Sequence, residues 1–378
     1  MTTPLAARPT FAAIDAAALR ANFAAIRAMV PADVAVVAVV KANAYGHCAA
    51  LVAPIFEAAG ADYLGVATIE EGVELRAAGV RKPILVLTGA RAGDIAACHE
   101  HQLSVAVLHR DMVRELAGAR NPAPLRVHIK VDTGMGRIGV LPTELLALLD
   151  DVRRAGCFHI DGIYSHFANA DSVDREYSDY QLRLFRQAVE TLAEAGERPQ
   201  YVHIANSAAT LSRPDTHFTM VRPGIILYGA PPAARFAGDG FRQAMRLVTH
   251  ILELKAVPSG FSISYGQTFV TRRPSLIATL PIGYADGYSR KLSNRASVLI
   301  RGQRAPVIGA VCMDLTMVDV TEVGGAQLGD EVVLWGRQDG AEISVTEVAA
   351  WQETIAYEVL TGVGPRVPRI CSKKEELG

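Results

Sequence analysis

The chain has 378 residues, half of them hydrophobic and a fifth charged, with 38 Lys plus Arg against 39 Asp plus Glu. That length accommodates two domains, or one barrel with an addition, in an ordinary globular balance. A near-neutral chain with no dense basic block is a poor duplex binder, since such binding rests on phosphate neutralisation, and its longest pure apolar run, Val34–Val40, is far too short to span a membrane.

The opening MTTPLAARPTFAAID lacks the charged-then-apolar layout of a secretory leader. Further along, short Val- and Ile-rich runs alternate with Ala- and Leu-rich stretches of helical periodicity. The runs read as buried parallel strands: Val34–Lys41, Tyr63–Ala67, Pro83–Leu87, Ser104–Leu108, Leu125–Val131, His159–His166, Tyr201–Ala205 and Phe218–Arg222. The helix signals include Pro142 ahead of Leu145, Leu146 and Leu149, with Gly156 past the end. Eight strands alternating with helices predict an α/β fold, a (β/α)8 TIM-type barrel over residues 1–243. An open doubly wound sheet is the competing architecture, but no GxGxxG follows the first strand. After Gly229 the stretch PPAARFAGDG reads as a linker. From Met245 the apolar segments Val248–Leu254, Leu276–Ile282, Ala296–Arg301, Leu315–Val320 and Glu331–Trp335 are separated by Gly, Pro and Asp. They predict a mostly β domain over 244–378, ending in a mobile SKKEELG tail. The five cysteines are scattered, odd in number and without a CxxC pair, which suits reduced thiols in a cytoplasmic enzyme.

The chemistry-bearing motifs cluster at predicted strand ends. Lys41 closes the first strand in VAVVAVVKANAYGH. The C-terminal ends of barrel strands face the active site, and a lysine desolvated there has a lowered pKa and can attack a carbonyl. The bland alternative is a lysine snorkelling out of the strand end. Tyr45 and Gly46 follow in a turn, where a hydroxyl and bare backbone could meet a phosphate. In HIKVDTGMGRIG the glycines present Arg137, whose planar fork suits a carboxylate or phenolate oxygen. GIYSHFANAD places His166 at the end of strand six. HIANSAA and VRPGIILYG end strands seven and eight, gathering Asn206, Ser207, Gly224 and Ile225, with Arg222 beside them, where barrels commonly bind phosphate. In the second domain SYGQTF, PIGYADGY, GAVCMDLTMVDV and TIAYEVL each put a Tyr or Asp in a turn, and each alone is a weak signal. Asp314 and Asp319 lack a nearby His, so the reading assigns no metal.

Taken together, and in this order over about Phe11 to Arg369, these motifs resemble the alanine racemase family, pyridoxal phosphate (PLP) enzymes with an N-terminal barrel and a C-terminal β domain. VKANAYGH resembles the family's PLP-lysine signature, which implies Lys41 as the Schiff-base lysine, and the SYG motif implies Tyr265 as the second base. PLP is an electron sink that acidifies the Cα–H of its bound amino acid, and racemisation needs one base on each face. The resemblance gives the D-isomer to Lys41 and the L-isomer to Tyr265, and it places Tyr265 on the second subunit of a homodimer, against His166, itself linked to Arg222. It further implies Arg222 at the pyridine nitrogen with His203 supporting it; Tyr45, Ser207, Gly224, Ile225 and Tyr357 at the phosphate; Arg137 near the cofactor phenolate and substrate carboxylate; and a Met313 backbone N–H on that carboxylate. Lys130 matches a lysine that is carbamylated in many relatives, an anion that would orient Arg137, where an ammonium would repel it. Asp171, Tyr284 and Arg290 match residues of the substrate corridor.

Two departures stand out. Cys48 replaces the Gly that usually follows the His, a change expected to be tolerable at a helix start. Ala310 replaces an Arg of the outer gate, which is expected to widen the corridor. A decarboxylase of the same two-domain plan is the competing PLP reading, invited by Cys312 and opposed by PIGYADG and the placement of Tyr265. Alanine is the family's usual substrate and serves peptidoglycan synthesis; serine stays open.

Overall fold

Eight short and largely buried strands pair side by side in the computed structural model, which describes residues 8–119, 122–238 and 240–371. They are β1 (Ala35–Val39), β2 (Tyr63–Val66), β3 (Ile84–Val86), β4 (Leu103–Val107), β5 (Leu125–Lys130), β6 (Phe158–Tyr164), β7 (Tyr201–His203) and β8 (Met220–Val221). All seven pairings are parallel, in the order β7-β6-β5-β4-β3-β2-β1-β8. The seam between β7 and β8 is bridged by Thr219 N–H to the Val202 carbonyl at 3.2 Å and Arg222 N–H to the Ala205 carbonyl at 3.0 Å. The result is a nearly closed TIM-type barrel, as expected from the alternation of strand and helix patterns. The helix read from Pro142 to Gly156 is present: a 3-10 turn at Pro142–Glu144 leads into Leu145–Ala155, and Gly156 ends it in the left-handed conformation (φ 64°) that glycine adopts without Cβ strain.

The described residues divide into two units: 8–18, 45–47 and 242–371 form one, 19–44 and 48–241 the other. The first is mostly β. Its larger sheet runs Gln303–Pro306, Ser297–Ile300, Glu331–Gln338, Met245–His250, Phe11–Ile14, Arg369–Cys371, with Ala341–Ile343 paired to Glu331–Gln338. A second sheet holds Glu253–Val257, Ser275–Leu280 and Thr316–Asp319, all antiparallel. Phe11–Ile14 is too short and alanine-rich to show an alternation in sequence, yet it pairs antiparallel with Met245–His250 and parallel with Arg369–Cys371. The run Val248–Leu254, continuous in sequence, is two strands here. Ile251 N–H bonds to Asp330 beside one sheet and Leu252 N–H to Thr279 of the other, so the chain changes sheets between them. TIAYEVL is not a turn: Ala356–Thr361 is a short helix that carries Tyr357. The SKKEELG tail and the first seven residues lie outside the described residues. No described helix is long and apolar enough to cross a membrane.

Cys48 does begin a helix, Ala49–Ala58, but at φ 73° and ψ 99°. A Cβ at positive φ is strained, which explains why glycine suits this position. Cys48→Gly is expected to stabilise the chain by about 1 kcal/mol, the relief of that strain less the entropy glycine gains on unfolding. A melting temperature that stays level or falls would refute this account.

Candidate active site

The site begins where β1 ends. Lys41, half-buried, leads into a turn in which Ala42, Asn43 and Ala44 all have left-handed backbone angles (φ 51–53°, ψ 49–52°). Such a turn costs L-residues roughly 1–2 kcal/mol each. Alanine keeps the clash small, and asparagine enters this region more readily than most residues. Backbone and side-chain bonds hold it: Ala44 N–H to the Val40 carbonyl (2.8 Å), Cys48 N–H to the Asn43 carbonyl (3.1 Å), Ala49 N–H to Asn43 Oδ1 (2.7 Å) and Ala42 N–H to Glu71 Oε1 (2.7 Å). Burial lowers the Lys41 pKa, as do the charges of Arg137 and Arg222; Glu71 opposes them. The amine is therefore neutral, and nucleophilic, at a lower pH than a free lysine.

A polar spine crosses the barrel interior from Arg222. Its NH1 meets His203 Nδ1 at 2.6 Å, and His203 Nε2 meets His128 Nδ1 at 2.9 Å. Its NH2 donates to the Ser165 carbonyl at 2.8 Å and lies 3.3 Å from His166 Nδ1. Guanidinium offers donors only, so Nδ1 of both His203 and His166 must accept. Neutral imidazole has one N–H, which places the His203 proton on Nε2, pointing at His128 Nδ1, and the His166 proton on its own Nε2. Burial, then the Arg222 charge, drives both pKa values well below the usual histidine range, and His128 falls to about 3 for the same reasons. Arg222 is itself lowered by burial, to about 10, and stays charged at neutral pH. The Tyr164 ring stacks on His203 at 5.0 Å and lies 5.2 Å from the guanidinium carbon of Arg222. Gly162 makes room for the spine: a Cβ there would stand 2.3 Å from His128 Nδ1.

The loop after β5 presents Arg137. Asp132 accepts the backbone N–H groups of Gly134, Met135, Gly136 and Arg137 at 2.8–3.2 Å, wrapping the glycines around its carboxylate. Burial raises the Asp132 pKa, but these bonds and Lys130 outweigh it and hold it below the usual carboxylate range. Arg137 itself is exposed and has no ion-pair partner among the described residues. Beneath it lies Lys130, 2 % exposed, its Nζ donating to the Val131 carbonyl at 2.8 Å and 5.4 Å from the Tyr164 ring centre. Burial and the charges of Arg222 and Arg137, against the pull of Asp132, lower it to about 7.

Beyond β7, Asn206 caps the short helix Ser207–Ser212 through its side chain and Ala209 N–H (3.1 Å). Ser207 Oγ accepts Gly224 N–H at 2.8 Å, which joins this cap to the Ile225–Tyr228 turn after β8. Ser207, Gly224 and Ile225 thus form one buried cluster. Asp171 is exposed, its carbonyl bonded by Arg235.

In the β unit the rings of Tyr45 and Tyr357 lie 6.0 Å apart; burial, and then Tyr357, raise the Tyr45 pKa. Tyr265 is 69 % exposed, in a tight turn between Ser264 (φ 64°) and Gly266 (φ 69°). It helps line a depression of about 540 Å3 with Phe261, Ile263, Cys312, Leu315 and Met317. Met313, Tyr284 and Arg290 are exposed on the same unit. Ala310 is buried, and its carbonyl accepts the Ser264 hydroxyl at 2.6 Å. Asp314 pairs with Arg366 at 2.7 Å, while Asp319 accepts Thr321 N–H at 3.0 Å.

Glu71, His128, Asp132 and Tyr164 were not singled out in the sequence. Asp132 had a readable signal, an Asp ahead of a glycine loop, the pattern of a side chain that closes its own turn. Glu71 had a partial one, the Thr68-to-Glu71 spacing of a capping box, which says nothing of Ala42; His128 and Tyr164 had none, because their partners lie in distant segments.

Family models match nearly the whole chain: the alanine racemase N-terminal domain over residues 14–232 and its C-terminal domain over 244–371. The alanine racemase of Symbiobacterium thermophilum is 46 % identical over 365 residues, covering 96 % of this chain and 97 % of the relative. That of Geobacter sulfurreducens is 44 % identical over 370 residues, with 96 % and 97 % covered. Among solved structures, the alanine racemase of Bacillus anthracis with bound L-Ala-P superposes with a TM-score of 0.93 at 38 % identity, covering 98 % of this chain and 97 % of that one. The alanine racemase of Streptomyces coelicolor A3(2) gives 0.93 and 38 %, with 97 % and 98 % covered.

Proposed function

The chain belongs to the alanine racemase family, and from that premise we propose that it interconverts L- and D-alanine with pyridoxal phosphate, using Lys41 and Tyr265 as opposed bases. The observation that carries the reading is the half-buried, pKa-lowered amine of Lys41 at the barrel mouth, in the same unit as a buried Arg222 whose contacts are all neutral acceptors. These residues fit a phosphorylated aromatic carbonyl compound. Lys41 supplies the amine that anchors it; Ser207, Gly224 and Ile225, with Tyr45, Tyr357 and Asn206, supply hydroxyls, an amide and backbone for the phosphate; Arg222 supplies N–H donors for a ring nitrogen. The bound cofactor supplies an electron sink for the Cα carbanion. Because Arg222 does not surrender its proton, it leaves that nitrogen unprotonated and limits side reactions such as transamination.

Lys41 removes or returns the Cα proton on one face. Tyr265, from a second copy of the chain in a homodimer, does so on the other. A phenol has an ordinary pKa of about 10 and needs help to act as a base. The Nε2–H assigned to His166 is a donor suited to a phenolate oxygen, and the charge of Arg222 behind it favours the anion. Arg137 and the Met313 backbone hold the substrate carboxylate, and Asp171, Tyr284 and Arg290 line its approach. The D-alanine formed would supply peptidoglycan. The test is the exchange of D- and L-alanine by the purified chain with added pyridoxal phosphate, followed by a panel of other amino acids. Release of CO2 without loss of optical rotation would replace this reading with a decarboxylase.

Lys130 is proposed to carry a carbamate. Carbamylation needs a neutral amine, and a pKa of about 7 makes half the amine neutral near pH 7, where an ordinary lysine is almost wholly charged. The anion formed would orient Arg137 instead of repelling it. The sign follows: occupancy is retained above pH 7 and lost as pH falls below it. With 13C-bicarbonate, a carbamate carbon signal should appear at pH 8, fade by pH 6, and be missing in Lys130→Met. A density map at high resolution and pH 8 showing a bare amine would refute it.

A further inference from the structure

A carboxylate outside the motifs lies against the backbone beside Lys41. Glu71 sits in the first turn of the helix Ile69–Ala77, which follows β2. Its Oε1 accepts Ala42 N–H at 2.7 Å; its Oε2 accepts Ala67 N–H at 2.7 Å and Thr68 N–H at 3.4 Å. Ala67 directly follows β2, and Ala42 directly follows Lys41, so one side chain ties together the ends of two neighbouring strands.

A capping role alone accounts for only half of this. The capping box needs Glu71 to reach the Thr68 N–H while Thr68 Oγ1 accepts Glu71 N–H, at 3.4 Å here. It does not call for a bond from the other oxygen to a residue twenty-nine positions earlier. That second bond serves the left-handed turn. The leading N–H groups of a helical turn have no acceptor within it, and Glu71 supplies one for Ala42 with an ionised oxygen, the stronger kind of acceptor. Two donors facing two oxygens require a carboxylate, since a carboxamide has one acceptor oxygen and would turn its NH2 toward the other donor.

We propose that Glu71 is a positioning residue for Lys41: through the Ala42 N–H it holds the left-handed turn that aims the lysine side chain, and it keeps a negative charge beside the amine. The inference rests on Lys41 being the reactive amine proposed above. Its charge has a separate effect, raising the Lys41 pKa against the arginines that lower it.

The test uses Glu71→Gln, which keeps the side-chain volume, Glu71→Ala, and Thr68→Ala, which removes the capping hydroxyl and leaves the carboxylate. In the full chain, amide exchange at Ala42 should accelerate on the order of 100-fold in both Glu71 variants, while amides of β1 keep their protection. After cofactor removal, labelling of Lys41 by acetic anhydride, followed by mass spectrometry across pH, should show a lower midpoint in both. With cofactor, kcat should fall about 10- to 100-fold, the usual scale for a misplaced reacting group, with KM changed less than about threefold. Thr68→Ala should match the parent in labelling midpoint. Parental exchange at Ala42 and a parental midpoint in Glu71→Gln would overturn the proposal, as would Thr68→Ala reproducing its effects. If the parent does not racemise alanine, the functional reading fails, while exchange and labelling still report whether Glu71 holds the turn.

Discussion

Lys41→Ala is expected to fold as the parent does and to lose racemase activity by roughly 10^4-fold or more, the scale seen when a group that is both covalent anchor and proton carrier is removed. Folding should be unharmed because the side chain is half-buried and outside the packed barrel strands, and because the left-handed turn is held by Ala42, Asn43 and Ala44 rather than by Lys41. Two further observations separate loss of chemistry from loss of structure. Borohydride treatment of the parent enzyme followed by peptide mapping should place a pyridoxyl mass on the peptide containing Lys41, and the variant should carry none. Circular dichroism and the melting curve should be close to the parent's. A variant that retained more than about a hundredth of parental kcat would move the catalytic amine elsewhere, and Lys130, with its pKa near 7, is the next amine to test.

The second large effect is complementation. Lys41→Ala and Tyr265→Phe chains should each be nearly inactive as homodimers. Mixed in equal amounts, unfolded and refolded together, they should recover about a quarter of parental activity. Random pairing makes half the dimers mixed, and each mixed dimer then has one intact site and one doubly altered site. Tyr265 is exposed on the β unit, beside the depression walled by Phe261, Leu315 and Met317, and so is open to the second copy proposed above. Recovery of no activity, with mixed dimers present by native mass spectrometry, would mean that each site is built within one chain.

The barrel was readable because fully buried parallel strands leave nearly pure apolar runs, as Val34–Val40 and Ile84–Val86 do. The helix Leu145–Ala155 was readable because its start and stop are marked by Pro142 and Gly156. The conformation of the Lys41 turn was not readable. Alanine has no preference for left-handed backbone, and the bond that helps hold it comes from Glu71, in another element. Cys48 was placed correctly at a helix start, but a positive φ is invisible when the residue there is not glycine. The proton arrangement of Arg222, His203 and His128 depends on distances of 2.6 and 2.9 Å between residues from three different strands or strand ends, and no spacing in the chain encodes it. Tyr357 was misread as a turn residue because TIAYEVL offers only two helical turns of pattern, too few to show a period.

The strand Phe11–Ile14 has a consequence for synthesis on the ribosome. It is made before any strand of the barrel, yet both of its partners, Met245–His250 and Arg369–Cys371, are made after the last of them. Every barrel strand is translated in the interval, so the barrel has all its pairing partners while this early strand still has none. Domains generally fold as units during translation, and an unpaired strand edge is a template for the wrong neighbour. Phe11–Ile14 is only four residues long and half alanine, and that brevity leaves little edge for another nascent chain to capture before its own late partners arrive.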